Sequence, residues 1–216
     1  EQLGMFHGIA ASISVQKGAK PRFVKARSIP LALHNRVFEE LQKMEWEGVI
    51  KPVKTSQWAT PIIPVFKRDS QVQVCVDFKT TINPMTVIES YSIPRIEELF
   101  ARLTGGKKLT KLDLEDAYQT ILLYEECQEL VTINIPRSLY WFIRLLFEVS
   151  SASAILQQEI ENLLHDLDHV VVYFDDILVT GTSDKERWES LGRVLDRLKT
   201  TGQRLKTRSP VLEPYH

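Results

Sequence analysis

The sequence predicts an α+β fold, because strand-like runs and amphipathic helices alternate along its 216 residues without internal repeats. One long helix is predicted at 150–167, and short apolar runs bounded by turn signals predict strands before and after it. The composition is 44% hydrophobic and 25% charged with a net charge of −1, which is typical of a globular chain with a real core.

The first half of the chain predicts a helix followed by a hairpin. The apolar face of the helix consists of Val37, Phe38, Leu41 and Met44. The helix ends at Gly48, where a residue that tolerates positive φ is expected. Two strand-like runs, 61–66 and 72–78, then flank Lys67-Arg68-Asp69-Ser70, which indicates a β-hairpin with a basic tip.

The middle of the chain predicts a second helix and four strands. Pro94 begins this helix, and Gly105 and Gly106 end it. Its apolar side chains are Ile96, Leu99, Phe100 and Leu103. The strands are predicted at 109–114, 120–123, 130–135 and 139–145.

The last third predicts a helix, an apolar hairpin and a final helix. The inward positions of the long helix are Ile155, Leu156, Ile160, Leu163 and Leu164. After the hairpin, Ser183 and Glu186 have the spacing of a capping box, which begins the final helix. The apolar stripe of that helix consists of Trp188, Leu191, Leu195 and Leu198.

Two adjacent acids, Asp175 and Asp176, lie at the predicted turn of the apolar hairpin. An unpaired ionised carboxylate is costly to bury, whereas a bound divalent ion uses such carboxylates as ligands. Asp113 ends the strand predicted at 109–114 and supplies a third carboxylate, so that three acids together could hold two metal ions. A solvated acidic turn is the alternative, because Asp is a favoured turn residue.

Seven motifs occur in order along the chain. They are Gly48-Val49-Ile50, the segment 56–65, Val74-Cys75-Val76-Asp77-Phe78, Asn83-Pro84, the segment 91–97, Leu112-Asp113-Leu114 and Tyr173-Phe174-Asp175-Asp176. Together they resemble the reverse transcriptase domain of gypsy-type long-terminal-repeat retrotransposon polyproteins over nearly the whole chain. The resemblance implies an RNA-directed, and also DNA-directed, DNA polymerase with a right-hand fold.

The resemblance also implies a domain organisation. An extended basic segment is expected at 1–33, mainly fingers at 34–108, and mainly palm at 109–208, with fingers elements within about 120–155. The palm is an antiparallel sheet backed by helices. Residues 209–216 would begin a thumb, so the thumb and the ribonuclease H domain are expected to be absent here and to belong to the rest of the polyprotein.

By the resemblance, Asp113, Asp175 and Asp176 are the catalytic acids and metal ligands. Asp113 and Asp175 bridge two Mg²⁺ ions, for which Mn²⁺ can substitute, and the backbone carbonyl of Leu114 helps to hold the ion on the nucleotide side. Such ions favour oxygen ligands. They lower the pKa of the primer 3′-hydroxyl that attacks the α-phosphate of a deoxynucleoside triphosphate, and they stabilise the leaving oxygens.

Further positions match residues of the family that contact the substrates. The nucleotide-binding positions are Lys67, Gln73, Asp116, Ala117, Tyr118 and Phe147, and the primer and template positions are Tyr173, Phe174, Glu148 and Gln157. Tyr118 matches the steric gate that excludes a 2′-hydroxyl, with a core tyrosine as the alternative. For Asp116 the alternative is a capping role, for Lys67 an exposed turn lysine, and for Gln157 a helix-surface glutamine.

Several positions depart from the family pattern. Gln73 stands where an arginine clamps the triphosphate, so nucleotide affinity is expected to fall. Glu148 replaces a glycine, which adds bulk and negative charge near phosphates. The other departures are Ser138 for glycine, Leu146 and Ser153 for proline, and Leu156 for phenylalanine. They keep a second function open: a catalytically inactive, decayed or co-opted retroelement domain that binds nucleic acid or protein.

The charge pattern suits an RNA or DNA template with its primer, although the net charge is close to zero. The segment 185–208 holds eight basic residues against three acidic ones. Five basic residues lie near the N-terminus, at Lys17, Lys20, Arg22, Lys25 and Arg27. Solvated basic faces are the alternative.

Other classes of protein are excluded by missing signals. No run approaches the roughly 20 apolar residues of a membrane helix, and Cys75 and Cys127 lack metal-ligand spacing. We therefore expect an intracellular protein, cytoplasmic or nuclear, that is neither secreted nor membrane-bound. His165 and His169 lie four residues apart but lack the glutamate of a zinc-protease helix. The glycine-rich signature of nucleotide cyclases is also missing.

Overall fold

The computed structural model describes residues 3–66, 72–88, 96–106, 108–206 and 211–212. The chain forms two compact units. The first consists mainly of Ala10–Ile88 and Ile121–Ala152, and the second mainly of Glu89–Thr120 and Ser153–His216. Each unit contains helices and strands, so the predicted mixture of the two is confirmed.

The secondary structure follows the predicted alternation of strands and helices. The strands are β1 (Ala10–Ala11), β2 (Ile50–Val53), β3 (Thr60–Phe66), β4 (Val72–Val76), β5 (Lys108–Asp113), β6 (Leu122–Leu123), β7 (Thr132–Ile135), β8 (Ser138–Phe142), β9 (Val170–Tyr173), β10 (Asp176–Gly181) and β11 (Val211–Leu212). The helices are α1 (His34–Trp46), α2 (Ile96–Leu103), α3 (Glu125–Gln128), α4 (Ala152–Leu164) and α5 (Asp184–Thr201). The hairpin tip with Lys67, the helix start at Pro94 and most of the segment 209–216 lie outside the described residues.

The first unit is built on a five-stranded sheet with the strand order β2-β8-β7-β3-β4. Neighbouring strands are antiparallel except β3 and β7, which are parallel. Helix α1 packs on β4 and buries Val37, Leu41 and Met44, whereas Phe38 is 40% exposed. Gly48 follows this helix with φ +67°, as its predicted role at the helix end requires.

The second unit contains a four-stranded antiparallel sheet with the strand order β11-β5-β10-β9. Val171, Ile177 and Val179 of this sheet are at most 1% exposed, which explains why the hairpin is so apolar. Helix α2 packs on β9 and helix α5 packs on β10. The prediction of an antiparallel sheet backed by helices is therefore confirmed for this unit.

Helix α5 has well-defined ends. Ser183 Oγ accepts a hydrogen bond from Glu186 N at 3.2 Å, and Glu186 Oε2 accepts one from Thr182 N at 2.8 Å. The predicted capping interaction is thus confirmed, with the glutamate bonding Thr182 N instead of Ser183 N. At the other end, Gly202 adopts φ +78°, which is a typical helix C-terminus.

The buried face of α5 differs from the predicted stripe. Trp188 and Leu195 were expected inside but are 60% and 40% exposed. The buried positions are Arg187, Ser190, Leu191, Val194 and Leu198. Arg187 can be buried because its guanidinium donates a hydrogen bond to Thr110 Oγ1 at 2.7 Å and pairs with Asp184 at 3.3 Å.

Across the part of the chain that the structure describes, none of the helices combines the length and the apolar character needed to cross a membrane.

Candidate active site

Strands β5 and β10 bring the predicted acids to one end of the second unit's sheet. In the antiparallel register of these strands, Asp113 pairs directly with Asp176. Asp176 also pairs with Tyr173 of β9, which leaves Phe174 and Asp175 as a two-residue turn. The predicted hairpin turn is confirmed. The third acid, Asp113, joins the other two only because β5 and β10 are neighbours.

Lys111 contacts two of these acids. Its Nζ lies 2.8 Å from Asp176 Oδ2 and 3.3 Å from Asp113 Oδ1. Lys111 and Asp113 lie two residues apart on β5, so both side chains are on the same face of the sheet. Our sequence reasoning missed this lysine, although the spacing of two within a predicted strand was a signal for it.

The two paired carboxyl groups have different affinities for a proton. A hydrogen bond with the Asp176 carboxyl lowers the pKa of Asp113, and Lys111 lowers it further. Burial raises the pKa of Asp176. The hydrogen bond to Asp176 raises the pKa of Lys111, so its ammonium stays charged. A charged lysine is thus held by two carboxyl groups that differ in pKa.

Asp175 lies on the turn directly before Asp176, close enough to Tyr118 for its charge to act on the tyrosine hydroxyl. Burial raises the pKa of the Tyr118 hydroxyl, and the negative charge of Asp175 adds to the rise. The Tyr118 hydroxyl lies 3.3 Å from Ser153 Oγ. Among the described residues Asp175 has no ion-pair partner, but its backbone carbonyl accepts a hydrogen bond from Leu114 N at 2.9 Å. This bond ties the turn to the end of β5.

The donor set of this sheet end suits a hard divalent cation. Asp113 and Asp176 offer carboxylate oxygens, and their side chains are 20% and 30% exposed, so an ion can reach them. Both already accept the ammonium of Lys111, which shows that the pair attracts a cation. No group of three His, Cys, Asp or Glu side chains among the described residues is arranged to hold a metal ion.

Gln157 supports the turn from inside the protein. It is 0% exposed, whereas the sequence predicted a position near the template or on the helix surface. Its Nε2 donates to Val172 O at 2.9 Å and to Glu161 Oε1 at 2.6 Å, and its Oε1 accepts from Phe174 N at 2.6 Å. The helix-surface alternative is therefore wrong, because this side chain of α4 is directed at the hairpin backbone before Asp175.

The hairpin turn has an unusual backbone conformation. Phe174 adopts φ +55°, which is rare for a bulky residue and costs energy unless the surroundings hold it. The bond from Phe174 N to Gln157 fixes this conformation. The ring of Phe174 also lies edge-on to that of Tyr173, with 4.6 Å between the ring centroids. Both residues were predicted to contact the primer or template, and they directly precede Asp175 and Asp176 in the hairpin.

The loop after β5 carries three predicted nucleotide-binding positions. Asp116 is exposed and has φ +46°, Ala117 is 3% exposed, and Tyr118 is half-buried. Because the Ala117 side chain is buried, a contact at this position would come from the backbone. Tyr118 remains accessible enough for its ring to form part of a binding surface.

The first unit carries the other predicted positions that the structure describes. Gln73 is exposed on β4 and pairs with Val65 of β3. Phe147 is 67% exposed, and Glu148 is half-buried in the turn after β8. Asn83 holds this turn, because its Nδ2 donates to Glu148 O at 2.8 Å and its Oδ1 accepts from Ser150 N at 3.0 Å. Asn83 thus has a structural role.

Glu148 should make the stability of the chain depend on pH. Burial raises the pKa of its carboxyl above the ordinary 4.5. The unfolded state then loses this proton first as the pH rises, so ionisation favours unfolding. Glu148→Gln should therefore raise the melting temperature relative to the parent chain by a few degrees at pH 8, and by much less at pH 4.5.

Thermal denaturation followed by circular dichroism at both pH values measures this difference. Glu39→Gln, at an exposed position of α1, is the matched control. An equal effect of Glu148→Gln at both pH values would contradict the role assigned to burial.

The chain resembles known proteins over most of its length. A family model described as "Reverse transcriptase (RNA-dependent DNA polymerase)" matches residues 72–208. The chain is 32% identical over 205 residues to the uncharacterized protein K02A2.6 of Caenorhabditis elegans, covering 94% of this chain and 16% of that protein. It is 30% identical over 163 residues to the transposon Tf2-3 polyprotein of Schizosaccharomyces pombe, covering 74% and 12%. The chain therefore spans less than a fifth of the length of these relatives.

Solved structures have the same fold. The prototype foamy virus protease-reverse transcriptase matches with a TM-score of 0.83 and 22% identity, over 94% of this chain and 27% of that chain. The foamy viral protease-reverse transcriptase in complex with RNA/DNA hybrid matches with a TM-score of 0.81 and 20% identity, over 98% and 28%. The predicted polymerase fold is thus confirmed. By its matching family model and these relatives, the chain belongs to the reverse transcriptase family.

Proposed function

We propose that the chain is the fingers and palm part of a gypsy-type retrotransposon polyprotein and extends a primer on an RNA or DNA template. The observation that carries this proposal is the pairing of Asp113 with Asp176 across β5 and β10, with Asp175 on the adjoining turn. The rest of the parent polyprotein would supply the thumb and the ribonuclease H domain.

Asp113 and Asp176 would hold Mg²⁺ or Mn²⁺ through carboxylate oxygens, with the carbonyl of Leu114 as a further ligand. A second ion would require the Asp175 carboxylate to turn toward this pair, because the three side chains do not form a metal-binding group in the structure. When bound, such ions favour loss of the proton from the primer 3′-hydroxyl and neutralise charge on the leaving oxygens. Asp113 is suited to this role because the lowered pKa of its carboxyl keeps it ionised. Gln157 holds the backbone that carries Asp175 and Asp176.

Tyr118 would select the sugar of the incoming nucleotide. Its ring is half-buried and lies on the side of the turn where Asp175 is found, which supports the role of a steric gate. The hydrogen bond to Ser153 restrains the ring, and a fixed ring discriminates against a 2′-hydroxyl more sharply than a mobile one. Deoxynucleoside triphosphates are therefore the proposed substrates.

The alternative function is a template-primer binding module without catalysis. Two observations favour it: Gln73 supplies no positive charge, and Glu148 places a half-buried acid where the family has glycine. Primer extension on RNA and DNA templates, with Mg²⁺ or Mn²⁺, separates the two functions when template-primer binding is measured in parallel. Incorporation that Asp175→Asn abolishes supports the polymerase. Binding without incorporation supports the alternative.

Restoring the family residues should raise incorporation. Gln73→Arg adds a charged hydrogen-bond donor for the triphosphate, which is worth about 1.5–3 kcal/mol, or roughly tenfold to a hundredfold in nucleotide affinity. Glu148→Gly removes a negative charge, so incorporation by the double variant should exceed incorporation by either single variant. Single-nucleotide incorporation at varied triphosphate concentration measures the effect.

Gln16→Arg is the control for these reversions, because it adds the same charge at an exposed site of the first unit. An equal gain from Gln16→Arg would show a general effect of charge on nucleic-acid binding and would remove the support for a triphosphate contact at Gln73.

A further inference from the structure

Lys111 occupies the carboxylate oxygens that the proposed metal site needs. Its ammonium bridges Asp176 Oδ2 at 2.8 Å and Asp113 Oδ1 at 3.3 Å. These are the two acids that face each other in the register of β5 and β10. Lys111 is thus a cation shared by two carboxylates of this sheet end.

The backbone around this contact is firmly held, whereas the lysine side chain can move. Strand β5 is paired with β10 on one edge and with β11 on the other. Asp113 O also accepts a hydrogen bond from Lys206 N at 2.9 Å. The Lys111 side chain is 28% exposed and has four methylene groups, so its ammonium can leave the acids without any strand movement.

A divalent ion and the ammonium cannot share these oxygens at low cost. Two like charges within a few ångströms repel each other, and repulsion is stronger at a partly buried site than in water. An ion that binds Asp113 and Asp176 therefore has to displace Lys111. In the absence of the ion, the ammonium offsets the repulsion between the two carboxylates.

We propose that the Lys111 ammonium competes with the divalent ion for the carboxylates of Asp113 and Asp176. The ammonium moves away from these acids when metal binds, and the competition sets the metal concentration at which the site is occupied. The proposal rests on the proposed function, because it takes Asp113 and Asp176 as metal ligands. Lys111 is thus a positioning residue in the metal-free state and the determinant of how tightly the site binds metal.

Direct binding of Mn²⁺, followed by the loss of the free-ion signal in electron paramagnetic resonance, tests the proposal without any need for catalysis. Lys111→Met should bind Mn²⁺ at least about tenfold more tightly than the parent chain. Lys111→Arg, which keeps the charge, should bind as weakly as the parent. Lys108→Met is the matched control: it removes a lysine of the same strand that pairs with Asp184, and Mn²⁺ affinity should not change.

Stability gives a second readout. In a metal chelator, Lys111→Met should lower the melting temperature, because the two acids then repel each other, and Mn²⁺ should raise it by more than in the parent chain. Lys111→Gln keeps a hydrogen-bond donor without the charge, and it replaces Lys111→Met in these measurements if the methionine variant does not fold. It should show the same tighter binding.

The outcomes separate this proposal from the proposed function. If Asp113→Asn abolishes Mn²⁺ binding but Lys111→Met and Lys111→Gln bind no more tightly than the parent, the metal site stands and the competition is refuted. If Mn²⁺ binding is undetectable in all chains, or survives in Asp113→Asn, the metal site itself is refuted together with the role of Lys111.

Discussion

Replacing Asp175 by asparagine should reduce primer extension at least about a hundredfold, which is the scale seen when one group that stabilises transition-state charge is removed. The variant should stay folded, because asparagine has nearly the same shape and Asp175 has no ion-pair partner among the described residues. Its backbone bond from Leu114 N is also kept. The loss would therefore report on chemistry and not on stability.

The measurement is the rate of single-nucleotide incorporation with saturating template-primer, together with a thermal denaturation curve. Asp196→Asn is the matched control, since it makes the same change at an exposed position of α5 in the same unit. Unchanged incorporation in Asp175→Asn would refute the assignment of Asp175 as a metal ligand. Equal losses in both variants would point to a general effect of charge.

Gln157→Leu should impair both folding stability and incorporation. Leucine fills a similar volume but leaves Val172 O and Phe174 N without their buried partner, at a cost of roughly 2–4 kcal/mol for the two groups. Phe174 would then lose the bond that holds its φ of +55°, and the turn that carries Asp175 would relax. We expect the turnover rate to fall while the KM for nucleotide changes little.

Gln158→Leu is the control for this variant, because it makes the same change one residue further along α4, at a position that is only partly buried. Chemical denaturation gives the free energy of unfolding, and steady-state incorporation gives the turnover rate and KM. A stable Gln157→Leu chain with a normal turnover rate would show that the hairpin holds its own conformation. A change confined to template affinity would support the template contact that the sequence predicted.

Local signals were sufficient for the acidic hairpin and for most helix and strand positions. Asp175 and Asp176 between two apolar strands predicted a turn, and the turn is present with Phe174 and Asp175 at its tip. A hairpin is predictable because its two strands are adjacent in the chain, and a two-residue turn fixes their register. The helix end at Gly48 was predictable for a similar local reason.

Side-chain directions on the helices were less predictable. Trp188 was expected inside α5, but Arg187 is buried there and Trp188 stacks against its guanidinium, with 4.8 Å from Arg187 Cζ to the ring centroid. Gln157 was expected near the template or on the helix surface, and its side chain is fully buried. A polar side chain is compatible with either location, and the choice depends on whether the packed neighbour offers hydrogen-bond partners.

The sequence by itself determined the class of fold, the acidic turn and membership of a polymerase family, because these depend on residue types and on spacing along the chain. The tertiary structure alone decided which acids face each other. Asp113 meets Asp176 because β5 pairs with β10, a contact between segments far apart in sequence. The same pairing brings Lys111 onto both carboxylates, since alternation along β5 fixes the faces while strand register fixes the partners.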